Sequence, residues 1–258
     1  MSAPNTNGQS AIESFLYSMP RLTKYWFTLS LVFTLVGRFN PSFYAYFELT
    51  YESAVKNFEV WRFFTSALTF PLNSQGKGYT FLITMYLLYN MSSSLQKGDY
   101  SEREGDYFYL LLICSALLWV VALFIIPIGF VWESLVMSIL YIWAQLNADT
   151  EVSFLFGIRI KAMYLPYVIF GLEFILFFGG LMTLIGIVVG HIYFFLAYKY
   201  PIEFGGRDFI VTPEFIKRFL PNVVEKGPNR TAINPRQTAD SSTNTRGHSW
   251  GRGTRLDD

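Results

Sequence analysis

The sequence predicts an all-α, polytopic membrane protein: a bundle of six spanning helices followed by a disordered C-terminal tail. Between Asp106 and Glu133 the chain runs for 26 residues without a formally charged side chain, enough to cross about 30 Å of hydrocarbon. Of the 258 residues, 52% are hydrophobic and 19% aromatic, and only 15% are charged, against about 25% in a typical soluble domain. Both observations indicate a bilayer environment.

The apolar stretches divide the chain into four regions. These are an N-terminal segment (1–21), a membrane domain (22–198), a juxtamembrane segment (199–224) and a tail (225–258). The predicted spans are 22–38, 79–96, 107–127, 134–148, 163–178 and 181–198. The tail is too poor in apolar side chains to fold alone.

Two spans need separate justification. The first has only 13 residues between Lys24 and Arg38, so these cations must extend toward the membrane surface. The last two come from one apolar stretch, 162–198, that is too long for a single helix. Gly179 and Gly180 supply a flexible point for a tight hairpin within it.

The distribution of lysine and arginine predicts the orientation, because short cytosolic loops carry an excess of both. With the N-terminus in the cytosol, ten cations lie in cytosolic flanks and loops and four on the opposite side. The ten are Arg21, Lys24, Lys97, Arg103, Arg159, Lys161, Lys199, Arg207, Lys217 and Arg218, and the four are Arg38, Lys56, Arg62 and Lys77. We therefore expect both termini in the cytosol and, since residues 1–18 lack a basic region followed by an apolar core, no cleaved signal peptide.

Two stretches outside the spans have an interfacial character. Residues 41–62 mix aromatic side chains with scattered charges, a composition suited to the membrane surface. Thr212 and Pro213 precede an amphipathic pattern over 215–220 that Pro221 ends. This pattern predicts a short helix, capped at Thr212, that lies on the cytosolic leaflet.

Several functional classes are not expected. The net charge is +1, and no basic stripe is dense enough to bind a run of nucleic-acid phosphates. The single cysteine, Cys114, excludes an internal disulfide and a multi-cysteine metal site, and it is most simply a small hydrophobic residue. We expect no cofactor and no metal.

A series of short motifs resembles the derlin family in order and spacing. The resemblance covers nearly everything from residue 14 to the terminus and rests on Trp61-Arg62, Tyr141-Ile-Trp-Ala-Gln-Leu-Asn147, Ser153-Phe-Leu-Phe-Gly157, Lys161-Ala-Met-Tyr-Leu-Pro166, Gly186-Ile-Val-Val-Gly190, Gly205-Gly-Arg207 and Trp250-Gly-Arg-Gly253. Derlins are rhomboid-fold pseudoproteases of the endoplasmic reticulum. They help to move misfolded proteins to the cytosol for degradation.

This resemblance implies a rhomboid-like six-helix bundle in the endoplasmic reticulum membrane and a non-enzymatic role in protein retrotranslocation. The implied partners are misfolded substrates, an endoplasmic reticulum ubiquitin ligase complex, the lipid bilayer, and further copies of the chain or other derlins. The alternatives are an active rhomboid-like intramembrane serine protease and a solute transporter. The transporter lacks an internal repeat and several intramembrane charges.

The residues themselves argue against proteolysis. A rhomboid protease needs a serine in a Gly-x-Ser-Gly setting on the fourth span and a histidine base on the sixth. Ser138 lies in the fourth span, but its neighbours are methionine and isoleucine, and Thr183 stands where the family histidine would fall. His191, eight residues farther on, sits about 12 Å along the helix and about 80° around it. We therefore expect no catalytic residues.

Two paired motifs are candidate structural sites. Gly186 and Gly190 allow close approach of two helices, either within the sixth span's own bundle or between two copies of the chain. Trp61 and Arg62 are either an interfacial anchor or, as the resemblance implies, a pair that orders the first loop through guanidinium hydrogen bonds.

Glu173 is the one carboxylate inside a span, where an ionisable group is costly enough to be a functional candidate. Gln145, Asn90 or Ser138 could satisfy it by hydrogen bonding, or it could face a hydrated cavity. We therefore name Glu173 and Gln145 as candidates for a substrate path.

The tail carries the motif 250–256, which resembles the SHP box with which derlins bind the valosin-containing AAA ATPase. Trp250 and Leu256 are two apolar anchors, and Gly251 and Gly253 allow an extended backbone to lie close to a partner surface. The resemblance implies that this tail recruits the ATPase.

Overall fold

Helices form most of the part of the chain that the computed structural model describes, residues 11–72, 77–154, 157–177, 179–204 and 210–222. The long helices are α2 (Arg21–Phe39), α5 (Lys77–Lys97), α6 (Glu104–Phe124), α7 (Trp132–Leu146), α8 (Leu165–Phe177) and α9 (Leu181–Phe194). The short ones are α1 (Ala11–Ser18), α3 (Ser42–Phe47), α4 (Trp61–Ser66), α10 (Tyr200–Glu203) and α11 (Glu214–Phe219). The mainly helical prediction is confirmed.

Each predicted span coincides with one long helix. Through a π-helical turn (Phe195–Lys199), α9 continues into α10. Among the described residues, two helices are long and apolar enough to cross a membrane, Glu104–Phe124 and the continuous Leu181–Glu203, and Ala162–Leu176 is apolar but shorter. The other long helices match the predicted spans in position only.

The apolar stretch 162–198 forms two helices, as predicted. α8 ends before Gly180, which precedes α9 with φ of +94°. A side chain is strained in this left-handed conformation, so glycine permits the abrupt reversal.

The structure also contains a β-hairpin that was not predicted. Strands β1 (Glu151–Phe154) and β2 (Ile158–Lys161) form an antiparallel hairpin that joins α7 to α8 through a 3₁₀ turn (Ala162–Tyr164). Val152 and Ile160 are paired across it, and both pack against the hydrophobic core. Strands of four residues give too short an alternation to be recognised in an aromatic-rich sequence.

The expectation that Thr212 caps a helix was wrong. Thr212 does not cap α11, because Pro213 occupies the cap position and no side-chain hydrogen bond caps the helix. The Thr212 hydroxyl instead donates to Asp106 in α6, at 2.7 Å.

The centre of the fold is α7. Twelve of its fifteen residues are buried, and the exceptions are Glu133, Gln145 and Leu146. A helix that is buried on all sides is a core helix, and the large side chains of Trp132, Met137 and Leu140 are among the most buried of the described residues.

The closest helix contact joins α7 to α9. A Cβ atom placed on Gly186 would lie 2.4 Å from the Ser134 carbonyl oxygen, and one on Gly190 would lie 2.8 Å from the Ser138 carbonyl oxygen. Two small residues four apart on α9 therefore face two small residues four apart on α7, which lets the backbones approach. Gly186 and Gly190 are packed within the chain.

Hydrogen bonds reinforce this contact. The Ser134 hydroxyl donates to the Met182 carbonyl oxygen at 2.8 Å, and the Ser138 hydroxyl lies 2.9 Å from the Gly186 carbonyl oxygen. Serine thus supplies both the small volume and the polar link that apolar surroundings favour.

A buried polar cluster joins α2, α5 and the first turn of α6. The Thr23 backbone N–H donates to Gln96 Oε1 at 3.0 Å, the Thr23 and Ser92 hydroxyls are 2.6 Å apart, and Ser92 is 2.6 Å from the Tyr107 hydroxyl. The adjacent Tyr100 hydroxyl lies 2.7 Å from that of Tyr198, and burial raises the pKa of Tyr100, so this phenol stays protonated and can donate. Satisfied networks of this kind fix helix register.

We expect Gly186→Leu to destabilise the protein by about 1–3 kcal/mol or more, because the added side chain must displace α7 backbone. Cys114 is the only cysteine and is buried. Its reaction with a thiol-specific fluorophore in detergent therefore reports thermal unfolding directly, and the variant should react at a lower temperature.

Two controls define the effect. Gly171→Leu adds the same bulk on α8, where nothing lies within 4 Å of the added Cβ, and should melt like the unmodified protein. Ser138→Ala removes a hydrogen bond without adding bulk and should cost about 1 kcal/mol. Equal melting of Gly186→Leu and Gly171→Leu would refute the tight contact.

Candidate functional site

Ser138 is the serine of the fourth long helix that the sequence offers as a candidate nucleophile, and its hydroxyl is fully engaged with backbone. Its Oγ lies 2.9 Å from the Ser134 carbonyl oxygen and 2.9 Å from the Gly186 carbonyl oxygen. The single hydroxyl proton is therefore directed at carbonyl groups, which cannot act as a base. A nucleophilic serine needs its proton directed at a base.

Thr183 is the residue that the resemblance to rhomboid proteases places where a histidine base is expected. This side chain is fully buried, and its hydroxyl donates to the Glu173 carboxylate across the α8–α9 hairpin. Glu173 is half-buried. The pair joins the two helices on either side of Gly180.

Thr183 was not among the expected partners of Glu173. The Asn90 side-chain amide donates to the Tyr86 carbonyl oxygen at 2.8 Å, and the Ser138 hydroxyl is hydrogen-bonded to backbone carbonyl groups. Gln145 is half-buried in the last turn of α7, and within the described chain no hydrogen bond joins it to Glu173. The ten-residue separation of Glu173 and Thr183 spans a helix hairpin, so their contact required knowledge of its geometry.

His191 belongs to a different set of contacts. Its Nδ1 lies 2.7 Å from the Tyr141 hydroxyl, and its ring packs edge-on against that of Tyr141. The other histidine of the sequence, His248, lies outside the described residues. In the described chain, therefore, no histidine is hydrogen-bonded to Ser138, and no group of three or more His, Cys, Asp or Glu side chains could hold a metal.

The first loop is organised by Arg62, at the start of α4. Its Nη1 donates to the carbonyl oxygens of Ala45 at 2.6 Å and Glu48 at 2.8 Å, and its Nε pairs with the Glu59 carboxylate. Ala45 and Glu48 lie at the C-terminal end of α3, where carbonyl groups lack helical partners and a cation is favourable. Trp61, by contrast, is 51% exposed.

Further contacts fasten this loop to the bundle. Leu49 N–H donates to the Gly129 carbonyl oxygen at 2.8 Å, and Val131 N–H donates to the Ser66 carbonyl oxygen at 3.1 Å. These bonds join both ends of the Arg62 region to the connection that leads into α7. Arg62 therefore acts on a loop that abuts the central helix. Its partner Glu59 could have been identified from the i, i+3 spacing of opposite charges.

The tail motif of Trp250, Gly251, Gly253 and Leu256 lies outside the described residues. It stays a prediction from the sequence.

We expect Arg62→Ala to cost about 3–5 kcal/mol, because it leaves Glu59 and two carbonyl groups without their buried cation. Chymotrypsin should then cleave the aromatic positions of 43–58 faster in detergent. Arg62→Lys should be intermediate, since one ammonium cannot reproduce the spread of a guanidinium. Lys56→Ala, which removes an exposed cation of the same loop, should change stability by less than about 1 kcal/mol. Equal cleavage of Arg62→Ala and Lys56→Ala would contradict the ordering role.

Comparison with known proteins identifies the family. Residues 19–214 match the model of the Der1-like family. The chain is 40% identical to Derlin-1 of Mus musculus and 39% identical to Derlin-1 of Homo sapiens, over 96% of this chain and 99% of each relative. Derlin-2 of Oryza sativa subsp. japonica is 29% identical over 85% of this chain and 91% of its own length. The chain therefore belongs to the Der1-like family and is derlin-1-like.

Proposed function

We propose that this protein is a non-enzymatic component of endoplasmic-reticulum-associated degradation. It moves misfolded proteins from the lumen or membrane of the endoplasmic reticulum to the cytosol and recruits the valosin-containing AAA ATPase through its tail. Membership of the Der1-like family supports this role. The proposed partners are an endoplasmic reticulum ubiquitin ligase complex and further derlin subunits.

One observation favours a pseudoprotease over an active rhomboid-like protease. Ser138 directs its hydroxyl at two backbone carbonyl groups, and Thr183, at the position of the base, donates to Glu173. Both hydroxyl groups therefore serve helix packing. The site supports binding and conformational roles better than acyl transfer, which requires a base beside the nucleophile.

We further propose that α2, α5, α6, α7, α8 and α9 all cross the membrane, with both termini in the cytosol. With 15 and 13 residues, α7 and α8 are only about 20 Å long at 1.5 Å per residue. This is shorter than the roughly 30 Å of an ordinary bilayer core. Short helices favour local thinning of the bilayer, which lowers the barrier for a polar chain to cross.

Glu173 remains our candidate for the substrate path. Gln145 is a second candidate with less support, because it makes no described hydrogen bond to Glu173. Two of the neighbouring side chains on α8, Phe174 and Ile175, are exposed, so the carboxylate lies beside a lipid-facing surface of the helix pair. A carboxylate there can offer a hydrogen-bond acceptor to a polar chain at the edge of the bundle.

The orientation predicts that Asn229 carries no N-glycan, although Asn229-Arg-Thr231 is a glycosylation sequon. Expression in cells and digestion with an N-glycosidase should leave the electrophoretic mobility unchanged. As a positive control, a sequon inserted in the loop near residue 57, on the side opposite to the termini, should be glycosylated. A glycan on Asn229 would invert the proposed topology.

The tail prediction tests the proposed function directly. Changing Trp250 and Leu256 to Ala removes the two apolar anchors, so we expect binding to the amino-terminal domain of the ATPase to fall at least tenfold in a pull-down from purified components. Clearance of a misfolded reporter in cells should slow correspondingly. A peptide of residues 246–258 should bind that domain in the roughly micromolar range expected for a short segment ordered on binding.

A matched variant distinguishes loss of the two anchors from a general effect of changing the tail. Changing Thr254 and Asp257 to Ala alters the same segment but leaves both anchors and should keep binding near the wild-type level. Cys114 reactivity should show identical melting for all tail variants. Undiminished ATPase binding by the Trp250 and Leu256 double variant would refute recruitment through this motif.

A further inference from the structure

The juxtamembrane segment 210–222 is fastened to the first turn of α6 through Asp106. The Thr212 hydroxyl donates to Asp106 Oδ1 at 2.7 Å, and the Asn222 amide donates to the same oxygen at 2.8 Å. The other oxygen, Oδ2, lies 3.7 Å from Nη1 of Arg103. Both carboxylate oxygens are thus engaged, and the side chain is only 12% exposed.

Asn222 also supplies a hydrogen-bond acceptor to the N-terminal end of α6. Its Oδ1 accepts a hydrogen bond from the Gly105 backbone N–H at 3.0 Å. The residue at the cap position, Arg103, makes no side-chain cap hydrogen bond, and the first N–H groups of a helix need acceptors from outside the helix. An amide 117 residues away in sequence supplies one of them.

Packing holds the middle of the segment. Ile216 of α11 is 4% exposed, whereas Phe219 is 84% exposed, so the helix turns one apolar side chain inward and another outward. A Cβ atom on Gly105 would lie only 2.6 Å from the Leu220 carbonyl oxygen. The backbone of the segment therefore lies directly against α6.

We propose that Gly105 and Asp106 form a clasp that holds residues 212–222 on the bundle. Thr212 and Asn222 bracket α11, which at six residues is too short to be stable by itself. Thr212 and Asn222 donate to the same oxygen of Asp106. Loss of this carboxylate therefore releases both ends of α11 together. The clasp joins the juxtamembrane segment to α6 and does not rest on the proposed function.

The clasp can be distinguished from simple attachment to lipid. The outward Phe215 and Phe219, beside Lys217 and Arg218, would also suit a membrane surface. Lipid attachment would hold α11 whatever residue stands at 105 or 212, whereas the clasp depends on both positions.

The test is hydrogen exchange, followed by mass spectrometry, on the full chain in lipid nanodiscs. Thr212→Asp places a second carboxylate against Asp106, and Thr212→Asn keeps a neutral donor of similar size. Gly105→Ala inserts a methyl group against the Leu220 carbonyl, and Gly78→Ala makes the same change near the start of α5, where nothing lies within 4 Å. Alanine favours a helix more than glycine does, so neither glycine variant should weaken its own helix.

We expect amides of 213–222 to exchange at least tenfold faster in Thr212→Asp and Gly105→Ala than in the unmodified protein. Thr212→Asn and Gly78→Ala should stay within about threefold, and peptides of α7 and α9 should be unchanged in all four. Unaltered exchange of 213–222 in both Thr212→Asp and Gly105→Ala would overturn the clasp in favour of lipid attachment. Equal acceleration by Thr212→Asn and Thr212→Asp would also overturn it, because the carboxylate would then be irrelevant.

Discussion

The fold depends on how closely α9 can approach α7. Among apolar surroundings, helices gain little from burying more apolar surface against each other, so association relies on close packing and interhelical hydrogen bonds. Gly186 and Gly190 provide the first, and the Ser134 and Ser138 hydroxyls provide the second. A bulkier residue at any of these four positions would separate the two backbones and leave voids around the central helix.

The other elements are arranged around α7 as a consequence. The Trp132 indole N–H donates to the Ser30 hydroxyl at 2.8 Å, which ties α2 to the beginning of the central helix. The Trp143 indole N–H donates to Ser94 at 2.9 Å, which ties α5 to its end. The loop ordered by Arg62 reaches the same helix through Val131. Two tryptophans and one loop thus set the register of the bundle at both ends of α7.

The sequence predicted the positions of the helices well, because a helix in an apolar setting is a local property of composition and length. It predicted pairings poorly, because pairings depend on which distant residues meet. Glu173 was recognised as an unusual group, but its partner Thr183 was considered only as the position of an absent histidine. The polar residue Thr212 was expected to cap its own helix, and it bonds instead to Asp106, 106 residues earlier. A hydroxyl near a helix start satisfies the local rule for capping, in which its oxygen accepts a backbone N–H. Only the folded chain shows that the Thr212 hydroxyl is turned toward a carboxylate of a distant helix, to which it donates.

Ser138 has a consequence for how related sequences are interpreted. Its hydroxyl bridges two backbone carbonyl groups, and its small volume admits the neighbouring helix. Steric fit alone is therefore a sufficient reason for a serine at this place, whether or not the protein cleaves peptide bonds. A serine on the fourth long helix of such a bundle is a poor diagnostic of hydrolysis, and the residue at the position expected for the base, which is Thr183 in this chain, is the informative one.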